Sequence, residues 1–323
     1  GIHLEDQKAG TKKCGHMGGK VLVSTREHCD RLIAARLQAD LLQCSLVIIA
    51  RTDSESARYV DSNIDERDQP WIVGEWTSEE GYNGRSTYPD AVTEILEKRG
   101  DLASLREWKF HCNQGANGCN GFSLDDMKTR STELNVKIVF DWNKIRTREG
   151  YYPVKHGWDY ATARCKAYAK FADLVWAESS TPNLSDAARF SDRIIGAHPN
   201  QMLAYNLSPS FNWDNAGMSD IEMRDFISKL AEHGYCWQFI TLAGFHTNAL
   251  GITKFARSYK DEGMLGYVRD IQREERSNNI PQLTHQTWSG AQYIDALQSL
   301  INKGNSTSIK GDGDTEKQFT SKL

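Results

Sequence analysis

The sequence predicts an α/β fold: the C-terminal part of a (β/α)8 barrel, with about five of the eight strands and a large insertion. Short apolar runs alternate with amphipathic helical segments, and this alternation is typical of parallel strands buried on both faces. Each run ends in polar or small residues, and in such barrels the active site forms at the carboxyl ends of the strands. The five runs are 2–7, 45–53, 172–179, 202–210 and 237–244.

The segments between these runs have helical periodicity. In IEMRDFISKLAEHGY, four apolar residues recur at i, i+3, i+4 and i+7 and predict one apolar face: Met223, Phe226, Ile227 and Leu230. Two further segments, 26–43 and 184–198, have a similar pattern.

One interval is too long for a single connecting helix, because roughly 120 residues separate Arg51 from Ala172. Its middle part is polar and rich in glycine, which predicts an insertion. His111, Cys112 and Cys119 lie there, but their spacing matches no structural zinc pattern, so we expect no metal at that place. The predicted division is 1–74 for the first barrel strands and the active-site loop, 75–150 for the insertion, 151–285 for the remaining barrel, and 286–323 for a C-terminal lid and tail.

The composition is that of a globular protein, with 39% hydrophobic and 25% charged residues. A formal net charge of -4 gives no broad attraction to nucleic acid or to anionic lipid. No run reaches the roughly 18–20 apolar residues of a membrane span, so we expect no membrane partner. The seven cysteines are an odd, scattered set, which favours reduced thiols over a disulfide framework.

The first and the last residues of the chain each support a prediction, one about missing strands and one about cellular location. The chain begins in an apolar, strand-like stretch without Met, so we expect the missing barrel strands to lie upstream. The isolated chain would then be inactive and poorly folded, because its first strand would be an unpaired edge. Ser321-Lys322-Leu323 at the other end matches the address that the peroxisomal import receptor reads. The alternative is a chance tripeptide.

Candidate functional residues occur at the ends of the first two strands. His3 and Glu5 are two residues apart and share a strand face. The Glu5 carboxylate could hold a divalent cation, directly or through water, or could form a surface salt bridge. Arg51 follows SLVIIA, where a guanidinium suits bidentate capture of a substrate carboxylate. Its alternative is an ion pair with Asp53.

The later strands also end in polar residues. Glu178 ends the third strand and Thr241 ends the fifth. The fourth ends in NLSPS, where Asn206 and two serines offer an amide, two hydroxyls and backbone N–H groups that could hold a second carboxylate. The alternatives are an ordinary turn for NLSPS and β-propensity for Thr241.

The stretch KKCGHMGGK at 12–20 places Cys14 among three basic side chains, Lys12, Lys13 and His16. Positive charge favours a thiolate, and the glycines would let the loop move as a lid. A mobile cationic loop with a thiol suits proton transfer to a polyanionic substrate. The alternative is an exposed basic loop with a chance cysteine. A nucleophilic role is less expected, because no Cys–His–Asn or Cys–His–Asp triad can be placed.

These motifs resemble those of the isocitrate lyases, within the isocitrate lyase/phosphoenolpyruvate mutase superfamily. The segment KKCGH resembles the family signature, and IHLEDQ, IIARTD, YNLSPSFNW and QFITLAGFH resemble family segments in order and approximate spacing. The resemblance covers essentially the whole chain. The insertion resembles the one that distinguishes fungal and plant members from shorter bacterial ones.

The resemblance implies a cleavage of isocitrate to glyoxylate and succinate that depends on Mg²⁺ (Mn²⁺ possible), in the glyoxylate cycle and in a homotetramer. Cys14 would be the catalytic acid/base that protonates the succinate carbanion, with His16 beside it. Glu5 would hold the water shell of the metal, with His3, Lys12 and Lys13 in supporting roles. The implied substrate-binding residues are Gly15, His16, Arg51, Glu178, Asn206, Leu207, Ser208, Pro209, Ser210 and Thr241.

The sequence departs from the family pattern in two places. The Ser-Gly-Trp motif and the aspartate that ligates Mg²⁺ directly do not occur in it, so we expect that ligand upstream. The segment 305–319 has fewer small apolar residues than the usual C-terminal lid, although its last residues resemble the family ending: Thr315, Glu316, Gln318 and Phe319.

Two other functions stay open. A 2-methylisocitrate lyase would share the fold and KKCGH, and one methyl group changes binding by only about 1–3 kcal/mol. The Ser-Lys-Leu ending favours isocitrate, since the methylisocitrate branch of fungi is typically mitochondrial. A non-catalytic barrel subunit is the other alternative, and the complete KKCGH segment argues against it.

Overall fold

The computed structural model describes residues 1–116, 122–304 and 315–319. The chain divides into two compact units, Gly1–Thr241 and Leu242–Leu323. The strands of the first unit are β1 (Ile2–Glu5), β2 (Val21–Leu22), β3 (Ile48–Thr52), β4 (Tyr59–Val60), β5 (Val73–Ser78), β6 (Asn83–Thr87), β7 (Ile138–Asp141), β8 (Tyr152–Pro153), β9 (Leu174–Ala177), β10 (Met202–Asn206) and β11 (Tyr235–Phe239). Its helices are α1 (Thr25–Leu41), α2 (Tyr88–Arg99), α3 (Leu102–Ala116), α4 (Leu124–Glu133), α5 (Trp158–Tyr168), α6 (Leu184–Ala197) and α7 (Asp220–Glu232).

The main sheet has five strands in the order β1-β3-β9-β10-β11, and all of its neighbours are parallel. Four predicted runs each contain one of these strands, and the fifth, 237–244, overlaps only the last part of β11. The α/β class and the parallel sheet are confirmed. The strands are spatial neighbours in chain order, which aligns their carboxyl ends: Glu5 is opposite Arg51, and Asn206 is opposite Phe239. Within the described residues the sheet is open, with β1 and β11 at its edges.

Burial follows position in this sheet. All four residues of β9 are buried, whereas only one residue of the edge strands β1 and β11, Tyr235, is buried. The apolar face predicted for α7 is only partly covered by neighbours: Phe226 and Leu230 are buried, but Ile227 is 51% exposed. Because α7 packs against α6 and the edge strand β11, only a narrow part of its surface meets neighbours.

Local signals mark where the helices begin. The Ser24 hydroxyl accepts from the N–H of Glu27 at the start of α1, as preferred at an N-cap. Helix α7 begins with a capping box, in which Ser219 and Glu222 each accept the other's backbone N–H.

The region predicted as an insertion contains a second, antiparallel sheet of order β6-β5-β7. Helices α2, α3 and α4 pack on it around a separate hydrophobic core, which includes Trp76, Tyr88, Ile95, Trp108, Met127 and Val136. A small third sheet, β2-β4-β8, lies outside the main sheet. Cys119 is outside the described residues.

The second unit is helical, with α8 (Ala243–Glu262), α9 (Met264–Tyr267), α10 (Arg273–Ser277), α11 (His285–Trp288) and α12 (Ala291–Ile301). A π-helical turn, Val268–Gln272, connects α9 to α10. Among the residues with described positions, no helix is long and apolar enough to span a membrane. Most of the lid segment 305–319 and the Ser321-Lys322-Leu323 tripeptide lie outside the described residues.

Candidate active site

Polar side chains from successive strands of the main sheet meet at its carboxyl edge. Nε of Arg51, on β3, is 3.6 Å from Oε2 of Glu5, on β1. Nη2 of Arg51 is 3.5 Å from Oε2 of Glu178, which follows β9. The structure thus brings three predicted site residues into one charged cluster.

Arg51 lies at the centre of this cluster. Its Nε and Nη2 donate to the two carboxylate oxygens of Asp53 at 3.1 and 3.0 Å, so the alternative predicted for Arg51 is present. Its guanidinium also lies 4.5 Å above the ring of Trp176. Burial alone would lower the pKa of Arg51, but Asp53, Glu178 and Glu5 raise it above its ordinary value. Nη1 makes no hydrogen bond within the described part of the chain, which leaves one edge of the fork for a ligand.

Asp53 is a site residue that the sequence analysis treated only as a competitor of the substrate. It is completely buried and accepts from Lys20 Nζ at 3.0 Å as well as from Arg51. Its backbone N–H donates to Oδ1 of Asp6 at 3.0 Å. Burial would raise the pKa of Asp53, yet the Arg51 and Lys20 cations hold it below its usual value. The spacing of Arg51 and Asp53 in IIARTD could have predicted this contact, since residues two apart on a strand share a face.

Glu178 connects the third and fourth strand ends. It is buried and accepts from Nδ2 of Asn206 at 3.0 and 3.4 Å. Oδ1 of Asn206 in turn accepts from the Thr241 hydroxyl at 3.3 Å. Nε2 of His16 lies 3.1 Å from Glu178 Oε1. Glu178, Asn206 and Thr241 therefore form one hydrogen-bonded chain, and the ring of His16 lies within ion-pair distance of its Glu178 end.

The glycine-rich loop 12–20 lies directly on this cluster. Cys14 is exposed, while Gly15 is buried against the sheet. A Cβ on Gly15 would lie 2.5 Å from Nη2 of Arg51 and 2.8 Å from Cγ of Glu178. Glycine is needed at this position for close approach, a reason different from the loop mobility that the sequence suggested.

The basic side chains of the loop each have their own acceptor. Lys12 Nζ lies 3.0 Å from Oε1 of Glu5, so the salt-bridge alternative for Glu5 is present. Lys13 Nζ donates to the carbonyl of Gly18 at 3.2 Å. The charge predicted around Cys14 is thus partly neutralised, and the Cys14 thiol has no hydrogen bond to any residue whose position is described.

The turn after β10 lies beside the charged cluster but contributes less to it than the strand-end residues do. The Leu207 N–H donates to the carbonyl of Phe239 at 2.8 Å, which fixes the buried Leu207 in the sheet. The Ser208 hydroxyl accepts from the N–H of Ser210 at 3.1 Å, as in an ordinary turn. Ser208 is buried, Pro209 is half-buried and Ser210 is exposed. The structure places this turn beside Asn206 but records no contact of its side chains with the charged cluster.

Aromatic rings form an apolar boundary that the sequence analysis missed. Trp176 lies beneath Arg51 and contacts the exposed His3 edge-to-face, with ring centroids 5.4 Å apart. Burial and the Arg51 charge lower the pKa of His3. Phe211 contacts the ring of His16, with centroids 5.2 Å apart. These rings place apolar surface next to Arg51 and His16, and charge interactions are stronger in surroundings of low dielectric constant.

The site offers only part of what a divalent cation needs. No three His, Cys, Asp or Glu side chains group into a metal site within the described residues. Mg²⁺ usually keeps several waters and takes only one or two carboxylates from the protein. The partly exposed Glu5 fits that water-mediated role, while the buried Asp53 is already paired with two cations.

The chain is similar to proteins of known family. The model of the isocitrate lyase family matches residues 1–83 and 75–319. Isocitrate lyase of Oryza sativa subsp. japonica is 40% identical over 99% of this chain and 62% of the rice protein. The mitochondrial 2-methylisocitrate lyase of Hypocrea atroviridis is 37% identical over 98% of this chain and 62% of that protein. The chain therefore spans less than two thirds of the length of these relatives.

A solved structure of 2,3-dimethylmalate lyase, a PEP mutase/isocitrate lyase superfamily member, matches at 16% identity with a TM-score of 0.45. The match covers 94% of this chain and 62% of that one.

Proposed function

Because this chain belongs to the isocitrate lyase family, we propose that the protein cleaves isocitrate to glyoxylate and succinate. The observation that carries the proposal is the position of the loop 12–20. It places the exposed Cys14 beside a buried Gly15 that packs on Arg51 and Glu178, where the parallel strand ends meet.

The proposed reaction breaks the bond between the hydroxyl-bearing carbon and its neighbour. The hydroxyl loses its proton to water as the glyoxylate carbonyl forms, and the electron pair of the broken bond remains on the succinate carbon. Cys14 delivers a proton to that carbon as the general acid. The free Nη1 edge of Arg51 binds a substrate carboxylate and stabilises the developing negative charge.

The remaining predicted residues hold the substrate in this proposal. His16 and Gly15 contact it from the loop, and Asn206 with Thr241 contacts the succinate-derived end. The set Leu207, Ser208, Pro209 and Ser210 completes that end through backbone and hydroxyl groups. Glu178 orients both His16 and Asn206, since it binds both side chains.

The implied cation is Mg²⁺, which when bound would polarise the carbonyl oxygen that forms on glyoxylate. Glu5 would hold its water shell, and Lys12, which now pairs with Glu5, would release it. His3 and Lys13 would support the same side of the site. A homotetramer, the glyoxylate cycle and a peroxisomal or glyoxysomal location, reached through the import receptor and Ser321-Lys322-Leu323, belong to the same proposal.

The second candidate is 2-methylisocitrate cleavage, favoured by the 37% identity to the Hypocrea enzyme. The deciding experiment compares kcat/KM for the two substrates on the whole protein with Mg²⁺ present. We expect a preference for isocitrate. A preference for the methylated substrate would replace the proposal with the second candidate, and no cleavage of either would favour a non-catalytic subunit.

A further inference from the structure

Lys20 ends the glycine-rich loop with a completely buried side chain. Its ammonium donates to the carbonyl of Gly15 at 2.6 Å, to Oδ1 of Asp53 at 3.0 Å and to Oγ of Ser56 at 2.8 Å. An ammonium has three N–H donors, so each has an acceptor. Full pairing of this kind is what permits a charged group to be buried.

These acceptors belong to two parts of the molecule. Gly15 is in the loop, next to Cys14. Asp53 and Ser56 follow β3, the strand that carries Arg51. Lys20 therefore connects the loop backbone at Gly15 to Asp53 and Ser56, which follow β3.

A second buried side chain fastens the loop on the other side of Cys14. The Gln7 amide accepts from the N–H of Lys13 and donates to its carbonyl, both at 2.9 Å. Gln7 itself is 2% exposed and follows β1. Cys14 is thus the single residue between two anchored backbone positions, Lys13 and Gly15.

We propose that Lys20 and Gln7 are positioning residues that fix the place of Cys14, the neighbour of the Gly15 that packs on Arg51. Both side chains are buried and hydrogen-bond to backbone atoms of the loop. The kinetic consequence of this inference rests on the proposed function, whereas the positioning itself can be measured without any substrate.

The test uses the whole protein with Lys20→Met and Gln7→Leu. The matched control is Lys8→Met, which removes a partly exposed Lys–Asp pair with Asp61 (2.9 Å) outside the loop. Hydrogen exchange of the 12–20 peptide and the rate of Cys14 alkylation by iodoacetamide report loop position. We expect both to rise at least about tenfold in the two loop variants, because local opening controls exchange, and to stay unchanged in the control.

Because Lys20 is buried, its replacement can prevent folding. The melting temperature of each variant is therefore measured as well. Ser56→Ala removes one floor acceptor at a half-buried position and leaves the bond to Gly15. It should raise loop exchange a few-fold. Folded Gln7→Leu and Ser56→Ala proteins with parental exchange and alkylation would overturn the proposal, even if Lys20→Met does not fold.

Turnover separates positioning from a purely structural role. For isocitrate, we expect kcat of Lys20→Met to fall about 100-fold, the cost of misplacing a reacting group by about 1 Å, while KM changes less than about threefold. A purely structural role would lower the melting temperature but leave kcat per folded site and loop exchange unchanged. If the parent protein cleaves no isocitrate, the proposed function fails, and the exchange and alkylation rates still decide the positioning.

Discussion

Gly15 and Arg51 are so close that a methyl group on Gly15 would lie 2.5 Å from Nη2 of the guanidinium. This contact sets the distance between the loop and the strand ends. The position of Cys14 over the site therefore depends on a residue without a side chain.

The first prediction concerns this contact. Gly15→Ala should push the loop away from Arg51 and lower kcat/KM for isocitrate about 100-fold, because a displacement of about 1 Å has such an effect. Gly18→Ala is the matched control, since a Cβ on Gly18 meets no atom within 4 Å. Steady-state kinetics on both variants checks the prediction, and a normal Gly15→Ala enzyme would disprove it.

The second prediction concerns the guanidinium fork. Arg51→Lys removes the planar group that binds Asp53 in bidentate fashion, and lysine cannot reproduce that geometry. We expect kcat/KM for isocitrate to fall about 10- to 100-fold, as for the loss of a charged hydrogen bond. Arg67→Lys alters a similar bidentate pair with Asp65 outside the site and should change kcat/KM less than about twofold. Equal effects of the two substitutions would contradict a substrate role for Arg51.

The third prediction concerns the buried ion network beneath the site. Arg164 is completely buried and donates to Oδ2 of Asp6 at 3.0 Å and to Oδ1 of Asp68 at 2.9 Å. Arg164→Met would leave two buried carboxylates without their cation and should cost about 3–5 kcal/mol of unfolding free energy. Arg189→Met, on the surface, should cost at most about 1 kcal/mol. Urea unfolding of both variants measures the difference, and similar midpoints would refute it.

The fourth prediction concerns pH. His28 is buried against Tyr168, and neither of its ring nitrogens has a hydrogen-bond partner within the described ranges 1–116, 122–304 and 315–319. Burial lowers the pKa of His28 from 6.5 to about 4. Below pH 6.5 the unfolded chain gains a proton that the folded chain does not. The stability linked to His28 is therefore full above pH 6.5 and is lost as pH falls towards 4.

His28→Phe keeps an aromatic ring against Tyr168 and removes this titration. Between pH 7 and pH 4 the variant should lose about 3 kcal/mol less unfolding free energy than the parent, as expected for that pKa difference. The exposed His156→Phe serves as control and should keep the parental pH dependence. Identical pH profiles for the parent and His28→Phe would contradict the prediction.

The strand ends were predictable because their signal is local. The segments IHLEDQ and SLVIIARTD each place polar residues directly after an apolar run, and parallel strands align such ends at one edge. The five strands are neighbours in chain order, as is usual for consecutive α/β units. Chain order and periodicity were therefore enough to predict that Glu5, Arg51, Glu178 and Asn206 lie together, while their roles stay a prediction.

The buried polar network was not predictable in the same way. Lys20 and Asp53 are 33 residues apart, and Arg164 and Asp6 are 158 apart. A single sequence shows that such residues are charged, but not which distant group neutralises them, and an unpaired charge is expected at the surface. The exposure of Ile227 was unpredictable for a related reason, since periodicity indicates an apolar face but not how much of it a neighbour covers.

In the proposed reaction, Cys14 delivers a proton to the succinate carbon. The direct measurement is kcat for isocitrate cleavage by the whole protein and by Cys14→Ser, with Cys44→Ser as a control at another exposed cysteine. We expect Cys14→Ser to lose about 10³- to 10⁴-fold in kcat, within the range of general acid catalysis, while Mg²⁺ binding is kept and Cys44→Ser stays normal. Near-normal turnover by Cys14→Ser would contradict it.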